Sequence, residues 1–350
     1  MKRIGVLTSG GDAPGMNAAV RAVVRTALSN GMSVVGFKRG YNGMLMRSLA
    51  TDEDYIEMNA RSVSGIIHKG GTELMTARCL DFLKPEVQQE AVRNAQALDI
   101  EGMVCIGGNG TFKGAEAINN LGLPAIGVPA TIDNDLCYTD YTIGFDTALN
   151  TAVEAVNRIR DTGDAHERAS IITVMGRDCG DLAVHTALAC GAEAAVIPEV
   201  NWDIEKLGNM VHRGVIRGKR SMILIFAEGA QRSLISKLPE LNQKYPELHL
   251  PEGRLSSSQF AQIIETISGH ETRATVLGYT QRGGSPTARD RILATLTGSQ
   301  AVKLLKDGIG GRAVGLKNDK LIDVPIQDAM VGTTFDADLY ELVSVTGFIK

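Results

Sequence analysis

The chain has 350 residues, 44% hydrophobic and 22% charged, with 36 Lys plus Arg against 40 Asp plus Glu and a net charge of −4. That balance excludes intrinsic disorder, suggests about two domains at ~150 residues each, and gives the chain as a whole no electrostatic reason to bind nucleic acid. The longest aliphatic or aromatic run, near Met222–Ala227, falls far short of the ~20 residues of a spanning helix, so no membrane partner is expected.

Short β-branched runs alternate with helical patterns along the chain. RIGVLT (3–8) predicts a strand, MNAAVRAVVRTAL (16–28) a helix and MSVVGF (32–37) a strand. GMVCIG (102–107), TFKGAEAINN (111–120) and AIGVP (125–129) repeat strand, helix, strand. The rhythm restarts after a helix at roughly 146–161, with a strand at 169–176, a helix at 180–190 and a strand at 194–200. A helix at 204–216 and a strand at 221–229 follow. The polar stretch at about 229–257 reads as an excursion from the core before a helix near 258–268. Such a βαβ rhythm predicts an α/β fold with two Rossmann-like doubly wound sheets. The apolar segment after Met1, Lys2 and Arg3 is too short for a signal peptide, so a cytoplasmic protein is expected. Cysteines 79, 105, 137, 179 and 190 include no CxxC pair and fit reduced thiols, and six scattered histidines show no zinc spacing.

Glycine is over-represented, with 39 residues where an average chain of this length has about 25. The glycines gather in turns directly after strands. TSGGDAPGMNAAVRA (8–22) ends a buried strand and opens a helix, where glycine lets backbone N–H groups approach phosphate oxygens. Its spacing imitates a Walker A loop, but Met16 and Asn17 replace the Lys and Ser/Thr. IGGNGTFKGA (106–115) is a second such turn, one residue off the dinucleotide fingerprint, with Asp133 standing 25 positions past Gly108. Two phosphate-cradling turns suggest a nucleoside triphosphate, or a nucleotide with a phosphorylated partner. PATIDNDL (129–136) then places two carboxylates at a strand's end, either dividing proton transfer and Mg²⁺ binding between them or forming an Asx-rich turn capped by its own side chains.

Together GVLTSGGDAPGMNA, GGNGT, PATIDND, VMGRDCGDLA and ETRATVLGYTQRGGSP resemble the bacterial ATP-dependent 6-phosphofructokinase family, in order from residue 3 to about 316. The resemblance implies transfer of the ATP γ-phosphoryl to the 1-hydroxyl of fructose 6-phosphate with Mg²⁺, a step of glycolysis. It implies a larger nucleotide-binding domain of residues 1–144 plus about 281–331, and a smaller sugar-phosphate domain of about 145–280 plus 332–350. It makes Asp133 the general base beside Thr131, with Asn109 and Asp135 on the metal side. Gly11, Tyr41, Arg78, Cys79 and the turn Gly108, Asn109, Gly110, Thr111 would hold ATP, and Arg78 would also reach the transferring phosphoryl with Gly11 and Arg177. Met175, Gly176, Arg177, Glu228, Tyr279 and Arg282 would line the sugar phosphate, while Arg168 and Arg273 would reach it from a neighbouring subunit of a homotetramer. An effector pocket would draw on Arg21, Arg25, Arg160, Glu193, Arg217 and Lys219.

The chain departs from that pattern at several positions. Asn109 replaces the usual Asp of Gly-Gly-Asp-Gly, which implies weaker metal binding. Tyr279 stands for a His, Cys79 and Leu83 for residues that are often Phe and Arg, and Ala60 for an effector-site Arg. Gly110 and Ala130 lack the Asp and Lys of pyrophosphate-using members, so ATP is the expected donor. A pyrophosphate-dependent enzyme and a weakly active regulatory paralogue are the alternative readings.

Overall fold

The computed structural model describes residues 1–48, 51–332 and 335–347. Eleven strands occur in chain order: β1 (Arg3–Thr8), β2 (Ser33–Phe37), β3 (Tyr55–Met58), β4 (Met103–Gly107), β5 (Ala125–Pro129), β6 (Ala169–Val174), β7 (Ala194–Val196), β8 (Met222–Ala227), β9 (Thr272–Val276), β10 (Arg312–Lys317) and β11 (Lys320–Pro325). The chain divides into two compact units, Met1–Thr147 with Arg282–Thr333, and Ala148–Gln281 with Thr334–Lys350.

The first unit holds a seven-stranded sheet of order β11-β10-β5-β4-β1-β2-β3. Its five central strands are parallel and both edges are antiparallel. Apolar runs fill the centre: β4 and β5 are buried along their whole length, as strands covered on both faces must be. On one face Leu7, Val35, Phe37, Met103 and Cys105 pack with Phe112, Ala115 and Ile118 of the helix Asn109–Asn120 and with Val87, Ala91 and Ala95 of the helix Pro85–Ala97. The helices Met16–Ser29 and Ala288–Lys306 pack together on the other, approaching closely enough at Gly298 that a methyl there would meet the Ala19 carbonyl at 2.9 Å. Successive connections from β1 thus leave toward opposite faces, and β1 beside β4 forms the switch point where α/β sheets bind ligands at their carboxyl ends. The edge hairpin β10–β11 turns on Asn318 and Asp319, both at positive φ, the two-residue turn whose twist matches that of the strands.

The second unit holds a parallel four-stranded sheet of order β7-β8-β6-β9. Here β7 stops at Val196, short of the expected 200, because Pro198 cannot donate to the ladder. The helix expected at 146–161 runs from Phe145 to His166. The 229–257 excursion is structured: a 3₁₀ run Glu228–Lys237 leads into the helix Leu238–Lys244, and Leu234, Leu238, Leu241, Leu250 and Leu255 are buried. All five cysteines are unbridged. No helix among the described residues is long and apolar enough to cross a membrane.

Candidate active site

In the first unit β1 delivers the chain at Thr8 into the loop Ser9–Gly15. Gly15 has φ 107°, and a Cβ there would lie 2.7 Å from Ile143 Cγ2, so both conformation and space require glycine. The helix that follows has no side-chain cap, which leaves its first N–H groups available to an anion. The helix Asn109–Asn120, entered through Gly108, also lacks a side-chain cap. Short polar side chains lash these turns together. The Thr111 hydroxyl donates to the Ser9 carbonyl at 3.1 Å, and the Thr76 hydroxyl to the Gly10 carbonyl at 2.8 Å. Asn17, which spoils the Walker pattern, has a job of its own: its amide donates to the Lys69 and Gly70 carbonyls while its oxygen accepts the Glu73 N–H at 2.7 Å. That stitching holds the segment leading to Arg78, which is exposed and forms no ion pair among the described residues. Arg282 lies against the first turn, donating to the Asp12 carbonyl at 3.0 Å, and a Cβ on Gly11 would come within 2.5 Å of its guanidinium.

The third turn leaves β5 at Pro129. Thr131 stands beside Gly108, and its hydroxyl accepts the Asp133 N–H at 3.2 Å. Asp133 is only 8% exposed. The turn's own capping falls to Asn134, at φ 51°, whose oxygen accepts the Thr142 N–H at 2.9 Å. Asp135 meets the second turn directly: its Oδ2 accepts from Asn109 Nδ2 at 3.0 Å, while its Oδ1 is buried without a hydrogen-bond partner. Asn109 thus turns its amide nitrogen, not its oxygen, toward Asp135. An unsatisfied buried carboxylate oxygen fits a hard cation, and among the described residues no three His, Cys, Asp or Glu side chains form a metal cage. The donor set suits Mg²⁺ held by one carboxylate and the phosphates of a substrate.

Tyr41 lies beneath the second turn. It is buried, its hydroxyl donates to the Thr111 carbonyl at 2.6 Å, and its ring stacks on Phe82 at 4.2 Å. Burial pushes its phenol pKa well up. A Cβ on Gly114 would meet this ring at 2.4 Å, so Tyr41 braces the helix behind the second turn. Cys79 is half-buried, which raises its thiol pKa and argues against a reactive thiolate. Gly110 is exposed, and nothing lies within 4 Å of where its Cβ would stand.

The second unit gathers its own residues at the ends of β6, β8 and β9. Gly176 and Arg177 are both at positive φ, and the Arg177 N–H donates to Glu228 Oε1 at 3.0 Å. Met175 N–H donates to Gln281 Oε1 at 3.3 Å. Arg168, just before β6, and Arg273, in β9, share Glu271: Arg168 Nε lies 2.9 Å from it and Arg273 donates to it. Tyr279 is 84% exposed. Of the expected effector residues, Arg21 and Arg25 sit one turn apart on the helix Met16–Ser29 of the first unit. Arg217 follows the helix Ile204–Ile216, and Arg160 donates to the Cys190 carbonyl. Glu193 and Lys219 pair with each other within the second unit. Lys219 Nζ donates to Glu193 at 2.8 Å and to the Gly347 carbonyl at 3.1 Å, and Glu193 also accepts the Ile223 N–H at 2.6 Å.

Sequence reasoning missed Asp290. Only 1% exposed, it accepts the Gly144 and Thr147 N–H groups at 2.8 and 2.9 Å and the Thr147 hydroxyl at 2.5 Å, anchoring the start of the helix Phe145–His166. Burial raises its pKa to about 6. The legible signal was Thr287 three residues earlier, which caps the helix Ala288–Lys306 through the Asp290 N–H.

A family profile described as Phosphofructokinase matches residues 3–305. The ATP-dependent 6-phosphofructokinase of Clostridium acetobutylicum is 46% identical over 346 residues, 99% of each chain, and that of Clostridium botulinum strain Hall is 45% identical with the same coverage. The solved phosphofructokinase of Saccharomyces cerevisiae matches with a TM-score of 0.80 and 32% identity, covering 94% of this chain and 45% of that one. That of Pichia pastoris in the T-state gives 0.83 and 33%, covering 94% and 37%. This chain thus spans less than half the length of either yeast chain.

Proposed function

This chain belongs to the phosphofructokinase family, and we propose that it transfers the γ-phosphoryl group of ATP to the 1-hydroxyl of fructose 6-phosphate, giving fructose 1,6-bisphosphate and ADP. The observation that carries this reading is the 45–46% identity, over 99% of both chains, to proteins named ATP-dependent 6-phosphofructokinase. The geometry supports it. Phosphoryl transfer asks the protein mainly to position reactants and neutralise charge. The two uncapped helix starts, at Met16 and Asn109, offer backbone N–H groups to the phosphates of the donor. Arg78 and Arg282 supply fixed positive charge on the first unit. Asp133 takes the proton of the attacking hydroxyl, and the Thr131 hydroxyl that accepts its N–H holds the turn in place. Asp135 would hold Mg²⁺, which when bound neutralises the charge of the phosphate oxygens.

In the second unit the proposed sugar-phosphate residues are Met175, Gly176, Arg177, Glu228 and Tyr279. Arg168 and Arg273 are proposed to serve a neighbouring copy in a homotetramer, where their forked guanidinium groups suit a phosphate dianion. Glu271 keeps both side chains oriented in the single chain. Arg21, Arg25, Arg160, Glu193, Arg217 and Lys219 are the proposed contacts of a charged effector.

ATP rather than pyrophosphate is the proposed donor, because Gly110 borders open space and Ala130 adds no cation. A coupled assay with each donor on fructose 6-phosphate tests this. The expected result is turnover with ATP and little with pyrophosphate, and the double change Gly110→Asp with Ala130→Lys depresses ATP use by about tenfold or more through charge and bulk at the donor pocket. Equal wild-type rates with both donors, or with neither, overturn the reading.

A further inference from the structure

Two carboxylates aimed at one Mg²⁺ repel each other until the cation arrives. This chain has one carboxylate, Asp135, and a neutral amide, Asn109. The amide nitrogen stands 3.0 Å from Asp135 Oδ2 and 3.5 Å from the Asp135 carbonyl oxygen, so both of its nearest contacts are acceptors. Their surroundings leave that orientation little freedom. Asn109 is the first residue of its helix and sits next to Gly108, which lies against Thr131. Asp135 follows Asn134, whose bonds to Thr142 fix the turn. The opposite amide orientation would set oxygen against carboxylate with no proton between them.

We propose that Asn109 is a positioning residue, whose amide N–H takes the place of part of the cation's charge and holds Asp135 in its cation-ready orientation before any metal binds. One oxygen, Oδ1, is left for the cation, and the amide occupies the other. The site is then preorganised in the metal-free protein, at the cost of one unit of negative charge and hence of affinity for the bare ion. Nucleotide binding consequently depends less on Mg²⁺ than it would with a carboxylate at position 109. The proposal rests on reading this site as one for Mg²⁺ and ATP.

The test compares wild type with Asn109→Asp, Asn109→Ala and the reversed pair Asn109→Asp with Asp135→Asn. Thermal unfolding is followed without nucleotide, in EDTA and in millimolar MgCl₂. Wild type is expected to respond little to Mg²⁺. Asn109→Asp should melt several degrees lower in EDTA and recover with Mg²⁺, as facing carboxylates demand a cation. Asn109→Ala should lie between them in EDTA, and the reversed pair should regain wild-type melting there, which a merely structural loss at position 109 cannot explain. Equilibrium dialysis with the non-hydrolysable analogue AMP-PNP then gives the ratio of Kd in EDTA to Kd in Mg²⁺, expected to be about tenfold or more larger for Asn109→Asp than for wild type. Equal melting of Asn109→Asp and wild type in EDTA, no rescue by the reversed pair, or equal ratios overturn the proposal. Absence of AMP-PNP binding by wild type in Mg²⁺ overturns the ATP reading instead, and the melting comparison still judges the role of Asn109.

Discussion

The two units build their proposed phosphate-binding surfaces from different materials. In the first, the turns after β1, β4 and β5 are shaped by backbone and short side chains. Thr111, Thr76, Asn17, Asn134 and Thr142 bond to main-chain groups, so the loops are braced from beneath. In the second, the candidate groups are long arginines, and two of them lean on one glutamate, Glu271. A braced loop keeps its shape whether or not a ligand is present. A half-exposed arginine paired in high dielectric gains little from its partner and can exchange it for a phosphate at small cost. The first arrangement suits chemistry that needs fixed distances, and the second suits capture and release.

Three experiments can break or sharpen that contrast. The largest effect is expected in the braced unit, where Asp133→Ala should lower kcat by roughly 10²–10⁴-fold, the usual worth of a general base. Fructose 6-phosphate binding, followed by calorimetry, should change little. Retention of most of kcat would remove Asp133 from the chemistry. In the second unit, Arg168→Ala and Arg273→Ala should each raise KM for fructose 6-phosphate by about 10–100-fold, as loss of one charge-assisted hydrogen bond of ~1.5–3 kcal/mol implies. Steady-state kinetics should show a much smaller change in KM for ATP, and equal changes for both substrates would show that the arginines support the fold instead of the sugar phosphate.

The smallest effect concerns stability. Asp290 has a folded-state pKa of about 6, raised first by burial, with opposing hydrogen bonds from Thr147 and Gly144. The folded protein therefore binds a proton more tightly than the unfolded chain. The stabilisation is fully present below the ordinary carboxyl pKa of ~3.9 and is lost as pH rises through about 6. The difference in Tm between wild type and Asp290→Asn should shift against wild type between about pH 4 and 6 and be flat above about 7. A difference that stays constant over that range would contradict the raised pKa.

The glycine-rich turns were legible in the sequence because their chemistry is local. A strand ending in glycines before a helix has few other uses, and Gly15 and Gly108 lie at the helix entries where the pattern put them. The partnerships that decide what each side chain does were not legible. Tyr41 contacts Phe82 and Thr111, Glu193 contacts Lys219, and Asp290 reaches back to Gly144 and Thr147. Each is set by tertiary packing between residues far apart in the chain, which leaves no periodic trace. The stretches 38–101 and 282–350 carried no assigned elements for a related reason. The short strand β10, the polar edge strand β11, and the helix Ala288–Lys306 with polar residues scattered among apolar ones give weak periodic signals.

The sheet order also bears on how the chain is made. β1 emerges first from the ribosome, yet the sheet it begins is finished only when β10 joins β5 and β11 closes the edge, after every strand of the second unit has been synthesised. At ordinary elongation rates β5 waits on the order of 10 s or longer for its neighbour. For that interval its backbone presents an unpaired, wholly apolar ladder, the kind of edge that invites mispairing between nascent chains. The later sheet, β7-β8-β6-β9, is complete at Val276 and can form before the earlier one. Until β10 is made, the strand Ala125–Pro129 is therefore the open edge of the first sheet on that side.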